Sequence, residues 1–237
     1  MEPAENVSES WEENAEDWIA WTRAPDNDVF YRHFQQPAFA RLVPRPGRRT
    51  VEIGCGEGRV GRWLAGRGHS VAGIDSSPTL VQSARAAGGY DELICGDAAH
   101  LPWEDGSFDA AVAFMVLHDM PVMPQAIREL ARVLECGSPL CIAIVHPINR
   151  PPEQLADYFT EHRISDEVAQ NGLRMNFVGI NRPFEDYARE LCEAGFVIEA
   201  LHEPRPDPAA IEAAPALAAA TRSPFFLHLR CRLFGQR

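Results

Sequence analysis

The sequence predicts an α/β fold on a doubly wound, mostly parallel, seven-stranded sheet. Three observations carry that expectation. Short apolar runs alternate with helical patterns from residue 49 onward, and strands alternating with helices at such spacing pair in parallel through right-handed crossovers. The run at residues 108–114 is apolar apart from Asp109, as in a strand covered on both faces. The first run also leads straight into a glycine-rich turn, E-I-G-C-G-E-G at residues 52–58, with a helical pattern behind it.

Residues 1–45 read as a separate N-terminal helical arm or lid. It is acidic and carries Trp11, Trp18 and Trp21, seven and three residues apart and so near one helical face. A long aromatic helix outside the core needs something to cover, and Pro44 and Pro46 end it. Residues 46–237 read as the main domain. Strands are expected at 49–54, 69–75, 92–95, 108–114 and 139–145, and helices at 59–67, 78–87 and 125–134. Ser77 followed by Pro78 is a helix start, with serine as N-cap and proline in the first turn. After His146-Pro147 the rhythm breaks. Residues 147–182 are polar and irregular, with a helix expected around 155–162, and read as an insertion or lid. A helix at 184–194 and strands at 196–202 and 224–234 complete the sheet, joined by a Pro/Ala-rich stretch at 204–223.

Composition narrows the chemistry. The 237 residues include 22 basic and 34 acidic side chains, a net charge of −12, and every basic residue is arginine. Without lysine there is no Schiff-base cofactor chemistry, no P-loop phosphate cradle and no lysine nucleophile. The acidic balance speaks against nucleic acid. No apolar run reaches the ~20 residues of a membrane span, and the acidic N-terminus lacks the features of a signal peptide. Six dispersed cysteines, with no C-x-x-C pair, read as reduced thiols of a cytoplasmic protein, mostly buried, with no metal site. The expected partner is a small-molecule substrate, with no nucleic acid and no membrane, in a monomer or homodimer.

The glycine turn has two readings. Gly54, Gly56 and Gly58 let the backbone approach a ligand, and helix N-terminal amides would face it. Gly56, Gly58 and Gly61 also spell G-x-G-x-x-G, and Asp75 lies 19 residues after Gly56, close to the pattern of an NAD-binding site. That reading implies an NAD(P)-dependent oxidoreductase. Against it, Glu52 ends the first strand two residues before Gly54, where a carboxylate repels a pyrophosphate and suits a cation. A long arm also precedes the first strand, and acids recur after strand three (Cys95-Gly96-Asp97-Ala98) and before strand four (Ser107-Phe108-Asp109).

Taken together, VEIGCGEG (51–58), GID (73–75), GDA (96–98), FDAAVAFMVLHDM (108–120) and RELARVLECGSPLCIAIVHP (128–147) resemble the class I S-adenosylmethionine-dependent methyltransferases of small-molecule type. The resemblance covers nearly the whole chain and rests on the order and spacing of these motifs. Glu135-Cys136-Gly137-Ser138 stands where family members often carry Pro-Gly-Gly, a change in a turn. The resemblance implies a Rossmann-like methyltransferase fold, S-adenosyl-L-methionine as cofactor and S-adenosyl-L-homocysteine as product. It implies that the loop of Gly54, Cys55 and Gly56 packs against the methionyl part, with Glu52 near its ammonium. Asp75 would accept from the ribose hydroxyls, with Ser76 and Leu80 bordering ribose and adenine. Asp97 would accept from the adenine amino group beside Gly96 and Ala98. Phe114 and Met115 would flank the methionyl group, and Trp18 would close over it from the arm.

Methyl transfer to an O, N or C atom needs in-line positioning and exclusion of water, and a general base only where the acceptor keeps its proton. His118, after strand four, and His146, ending strand five, are the candidate catalytic bases, or else capping and packing residues. Tyr158, Phe159, Asn176, Phe177 and Tyr187 either line an acceptor pocket or hold the insertion together. A catalytically inactive S-adenosylmethionine-binding partner protein is the non-enzymatic alternative.

Overall fold

The computed structural model describes residues 7–24 and 26–235; residues 1–6 of the arm and the last two residues of the chain lie outside them. Five strands form the parallel part of the sheet: β1 (Thr50–Ile53), β2 (Val71–Asp75), β3 (Glu92–Cys95), β4 (Ala110–Phe114) and β5 (Pro139–Val145). A separate hairpin, β6 (His162–Gln170) and β7 (Leu173–Asn181), follows β5, and β8 (Phe196–His202) and β9 (Phe226–Leu233) return to the sheet. The spatial order is β3-β2-β1-β4-β5-β9-β8, with β9 antiparallel to both neighbours. Seven strands, six connections and the doubly wound order are as the sequence predicts. Chain order reverses between β1 and β4, so ligands are expected outside their carboxyl ends.

Period-two alternation in β1, β4 and β5 serves two cores at once. Val51, Ile53, Ala111, Ala113, Leu140 and Ile142 face one cluster, where α6 (Met123–Val133) supplies Ile127 and Leu130 and α8 (Phe184–Glu193) supplies Tyr187 and Leu191. Val112, Phe114, Cys141 and Ala143 face the other, covered by Phe39 of α3 (Gln36–Phe39) and by Val60 and Leu64 of α4 (Arg59–Ala65). α5 (Pro78–Ala87) starts as its sequence predicts: Ser77 Oγ accepts from the Leu80 N–H at 3.1 Å, and Pro78 occupies the first turn.

The arm is not one long helix. It breaks at Asn14 into α1 (Val7–Glu13) and α2 (Ala15–Arg23), followed by a π-helical turn (Tyr31–Gln35) and α3. The break lets Trp11 meet Trp18 edge-on, ring centres 5.7 Å apart, while Trp18 and Trp21 both pack edge-on against Phe177 of β7. What these aromatics cover is therefore the hairpin and the sheet edge beneath it.

The segment after β5 also differs from expectation. It holds a short α7 (Pro152–Ala156), and then the hairpin fills most of the stretch read as irregular. The missed signal was Asn171-Gly172. Both take positive φ, 52° and 80°, the conformation a two-residue type I′ turn requires and the reason Asn-Gly marks hairpins. The Pro/Ala-rich stretch likewise contains α9 (Pro208–Ala213), capped by Asp207, whose Oδ1 accepts from the Ala210 N–H at 2.8 Å. All six cysteines are free, but only Cys55, Cys141 and Cys231 are buried. Cys95, Cys136 and Cys192 fall at element ends, where local apolarity does not mean burial. No helix among the described residues is long and apolar enough to cross a membrane.

His228 of β9 is fully buried, and neither ring nitrogen has a hydrogen-bond partner among the described residues. Burial, with His202 close by, pushes its pKa down to about 3. The folded state therefore keeps it neutral, while the unfolded chain takes up a proton below pH ~6.5. Stability is fully present above that pH and is lost as pH falls toward 3. Thermal melts at pH 7 and pH 5 should differ, with His228 contributing about 2 kcal/mol of the loss at pH 5. His228→Leu should reduce the pH dependence, and an unchanged slope in that variant contradicts the assignment.

Candidate functional site

A cleft opens at the carboxyl ends of β1, β2 and β4, where the strand order reverses, with the arm as its opposite wall. Every residue assigned to the cofactor from the sequence lines it: Trp18, Glu52, Gly54, Cys55, Gly56, Asp75, Ser76, Leu80, Gly96, Asp97, Ala98, Phe114 and Met115. The strand-to-helix turn needs its glycines. Gly54 takes φ 62°, and a Cβ there would lie 2.1 Å from Val116 Cγ2. Met115 also takes positive φ, 55°, a costly conformation for a side-chain-bearing residue and one concentrated at functional sites. Its N–H donates to the Ala143 carbonyl at 2.7 Å, which holds it there.

Glu52, the last residue but one of β1, has only 1% of its surface exposed. Its Oε2 accepts from the Tyr90 hydroxyl at 2.8 Å. Burial pushes its pKa up to about 8, with Asp75 adding repulsion and the Tyr90 bond opposing both. Tyr90 went unnoticed in the sequence, and it explains Gly61. A Cβ on Gly61 would lie 2.0 Å from Tyr90 Cζ, and one on Gly73 would lie 2.6 Å from the same ring. The third glycine of the G-x-G-x-x-G spelling thus makes room for a tyrosine.

Asp75 ends β2 and faces back across the turn. Oδ2 accepts from the Gly56 N–H at 2.8 Å and Oδ1 from the Ser77 N–H at 2.9 Å. Burial raises its pKa, and these two bonds oppose the rise. Beyond β3, Asp97 is exposed; its Oδ1 accepts from the Ala99 N–H at 2.9 Å, and its Oδ2 lies 3.8 Å from His100 Nδ1.

The arm is anchored at the rim of the cleft. Glu12 of α1 accepts from the Ser77 hydroxyl, from Thr79 Oγ1 at 2.6 Å and from the Thr79 N–H at 3.3 Å. Trp11 and Trp18 then form the outer wall. Arg59, the first residue of α4, is the cation of the cleft lining. It pairs with Asp28, and its guanidinium lies 4.0 Å from the Tyr31 ring centre and 4.9 Å from that of Trp18. Sequence reading missed it because Asp28 and Tyr31 stand some thirty positions away.

Neither candidate histidine lines the cleft. His118 is buried beneath it, and burial, with Arg182 nearby, pushes its pKa down to about 3. His146 Nδ1 accepts from the Ile148 N–H at 3.2 Å, and Nε2 stands 3.1 Å from Glu203 Oε1. That arrangement puts the ring proton on Nε2 and spends both nitrogens, one in the loop after β5 and one on Glu203 just past β8. Asp119, beside His118, does line the cleft. Among the described residues no group of three His, Cys, Asp or Glu side chains is placed to hold a metal ion.

Cofactor chemistry and donor set agree. Buried carboxylates, positive-φ backbone and the absence of lysine suit a ligand that carries its own positive charge. The comparisons with known proteins point the same way. Residues 51–142 match the family described as "Methyltransferase domain". Over that stretch the chain is similar to the S-adenosylmethionine-dependent methyltransferases. Among its relatives, a malonyl-acyl-carrier-protein O-methyltransferase of Erwinia pyrifoliae is 38% identical over 123 residues, 50% of this chain and 47% of that protein. A methyltransferase of Streptomyces halstedii is 36% identical over 112 residues, 44% of this chain and 40% of that one. The chain thus spans about half the length of the curated relatives it matches. A solved S-adenosylmethionine-dependent methyltransferase of Mesorhizobium loti superposes with a TM-score of 0.67 at 26% identity, over 87% of this chain and 99% of its own.

Proposed function

We propose that this chain transfers a methyl group from S-adenosylmethionine to an O, N or C atom of a small metabolite, in the cleft between the arm and the carboxyl ends of β1, β2 and β4. The observation that carries the reading is Glu52: a carboxylate sealed at the end of β1, with one hydroxyl as partner, beside a glycine turn that admits a ligand. An isolated buried carboxylate is costly, and an ammonium group offsets that cost. The cofactor, when bound, supplies an activated methyl on sulfur. The protein's share is binding, orientation and exclusion of water. Glu52 takes the methionyl ammonium. The free N–H groups of Arg59 take its carboxylate. Asp75 holds the turn through Gly56 and accepts from the ribose, Leu80 and Ala98 flank the adenine, and Asp97 Oδ2 accepts from its amino group. Trp18 closes the site from the arm.

One consequence is a proton count. Apo Glu52 is mostly protonated at pH 7, given a pKa pushed up to about 8. Docking a cation beside it favours the ionised form and lowers that pKa. Binding of S-adenosylhomocysteine, which keeps the ammonium, should release up to about one proton at pH 7, and affinity should rise with pH up to about 8. Calorimetry in buffers of different ionisation enthalpy measures this, and Glu52→Gln should abolish the release. Proton uptake, or release undiminished in Glu52→Gln, contradicts the Glu52 role.

The activity is tested by incubating the chain with S-adenosylmethionine labelled in the methyl group and fractions of a small-molecule extract. Transfer into a small-molecule fraction is the expected outcome. Transfer into none, with cofactor binding intact, leaves the chain a cofactor-binding protein without turnover.

A further inference from the structure

Two carboxylates of the cleft lining take no part in holding the cofactor: Glu57, which accepts from Arg62, and Asp119. Asp119 lines the cleft next to Met120, Pro121 and Val122, and its side chain is 13% exposed. The hairpin makes room for it: a Cβ on Gly179 of β7 would lie 2.7 Å from Asp119 Oδ1. Its ion-pair neighbour is His118 Nε2 at 3.5 Å, and that ring is buried and neutral at pH 7, so it brings no counter-charge. Arg182 donates through Nε to Glu161 at 2.8 Å and through Nη2 to the Met120 carbonyl at 3.0 Å, while its Nη1 is buried without a hydrogen-bond partner among the described residues. Burial lifts the Asp119 pKa well above the carboxylate range; Arg182 offsets part of the rise and Asp75 adds to it. Across the cleft, Trp11 presents an apolar ring, and its Nε1–H is buried without an acceptor among the described residues.

We propose that Asp119 docks the methyl acceptor by accepting a hydrogen bond from its hydroxyl or amino group, and that the acceptors of this cleft are apolar molecules with such a donor and no anionic group. The inference rests on the methyltransferase reading. An acceptor with a donor group satisfies Asp119, and the Trp11 ring offers an apolar wall to the rest of the molecule. A donor on the acceptor favours the ionised form of Asp119, and an anionic acceptor would stand beside that charge with the cation Arg59 already paired to Asp28. Sites built to hydrogen-bond a substrate reject analogues that leave their buried polar groups unpaired. His118 is a positioning residue here, its Nε2 turned toward Oδ1.

The test uses the protein saturated with S-adenosylhomocysteine and three probes on one frame: 2-phenylethylamine, 2-phenylethanol and 3-phenylpropionate. Quenching of tryptophan fluorescence reads binding, since Trp11 and Trp18 form the wall. The amine and the alcohol should bind, about tenfold or more tighter than the carboxylate, and the tighter of the two identifies which donor the site takes. Asp119→Asn should weaken their binding by about tenfold while S-adenosylhomocysteine affinity changes less than about twofold. Equal binding of 3-phenylpropionate, unchanged probe binding in Asp119→Asn, or no probe binding overturns the proposal while the cofactor reading stands. If Asp119→Asn fails to bind S-adenosylhomocysteine, probe selectivity of the unaltered protein decides. If the unaltered protein does not bind S-adenosylhomocysteine, the methyltransferase reading falls and this inference with it.

Discussion

Asp75→Ala should weaken S-adenosylhomocysteine binding by about 1–3 kcal/mol, roughly a 5- to 150-fold rise in Kd. Two losses add. The ribose hydroxyls lose their acceptor, and the N–H groups of Gly56 and Ser77 lose theirs, at 2.8 Å and 2.9 Å in the intact protein. Gly56 sits at φ 54°, so the carboxylate is what ties that turn to β2. Asp75→Asn should fall between: its amide oxygen can still accept from one of the two N–H groups, but its NH₂ faces the other. Calorimetric titration reads both variants. An affinity unchanged in Asp75→Ala removes Asp75 from the binding site.

Gly61→Ala should destabilise the protein by about 1–3 kcal/mol, the cost of overpacking a filled interior. For a chain of this size that lowers Tm by about 2–4 °C per kcal/mol. The added methyl would overlap the Tyr90 ring, 2.0 Å from Cζ. The ring cannot retreat easily, because Gly58 and Gly73 also stand against it. Displacing Tyr90 also releases Glu52, so cofactor affinity should fall together with Tm. Tyr90→Phe separates the effects: it keeps the ring and its packing, and it loses only the hydroxyl on Glu52. A dinucleotide-binding turn tolerates alanine at its third glycine. A fully stable Gly61→Ala protein therefore contradicts the packing described for this turn.

The parts of the site legible in the sequence are those that chain order alone can place. Glu52, Asp75, Asp97 and Phe114 end or follow consecutive parallel strands, and parallel strands deliver their carboxyl ends to one edge. Side-chain partners far along the chain were not legible. Tyr90 reaches Glu52 across 38 positions, and Arg59 reaches Asp28 across 31; no local pattern announces either. His118 and His146 were placed at the right strand ends, but where a side chain points after a strand depends on what packs behind it. Arg182 and β7 lie behind His118, and Glu203 meets His146. The hairpin is a different case. Asn171-Gly172 carried its signal, and the polar, exposed character of β6 obscured it, since only β7 lies under the arm, with Met175 and Ile180 buried. The missing lysine proved informative in one respect: the cleft takes its charge from carboxylates, and its cation, Arg59, is held by Asp28 and two rings.

The central claim is that this cleft holds S-adenosylmethionine through buried carboxylates and a glycine turn. Its most direct test is calorimetric titration of the unaltered protein with S-adenosylhomocysteine and, separately, with NADH. Saturable one-to-one binding of S-adenosylhomocysteine, accompanied by proton release at pH 7, and no binding of NADH is the predicted result. Binding of NADH with none of S-adenosylhomocysteine contradicts the account.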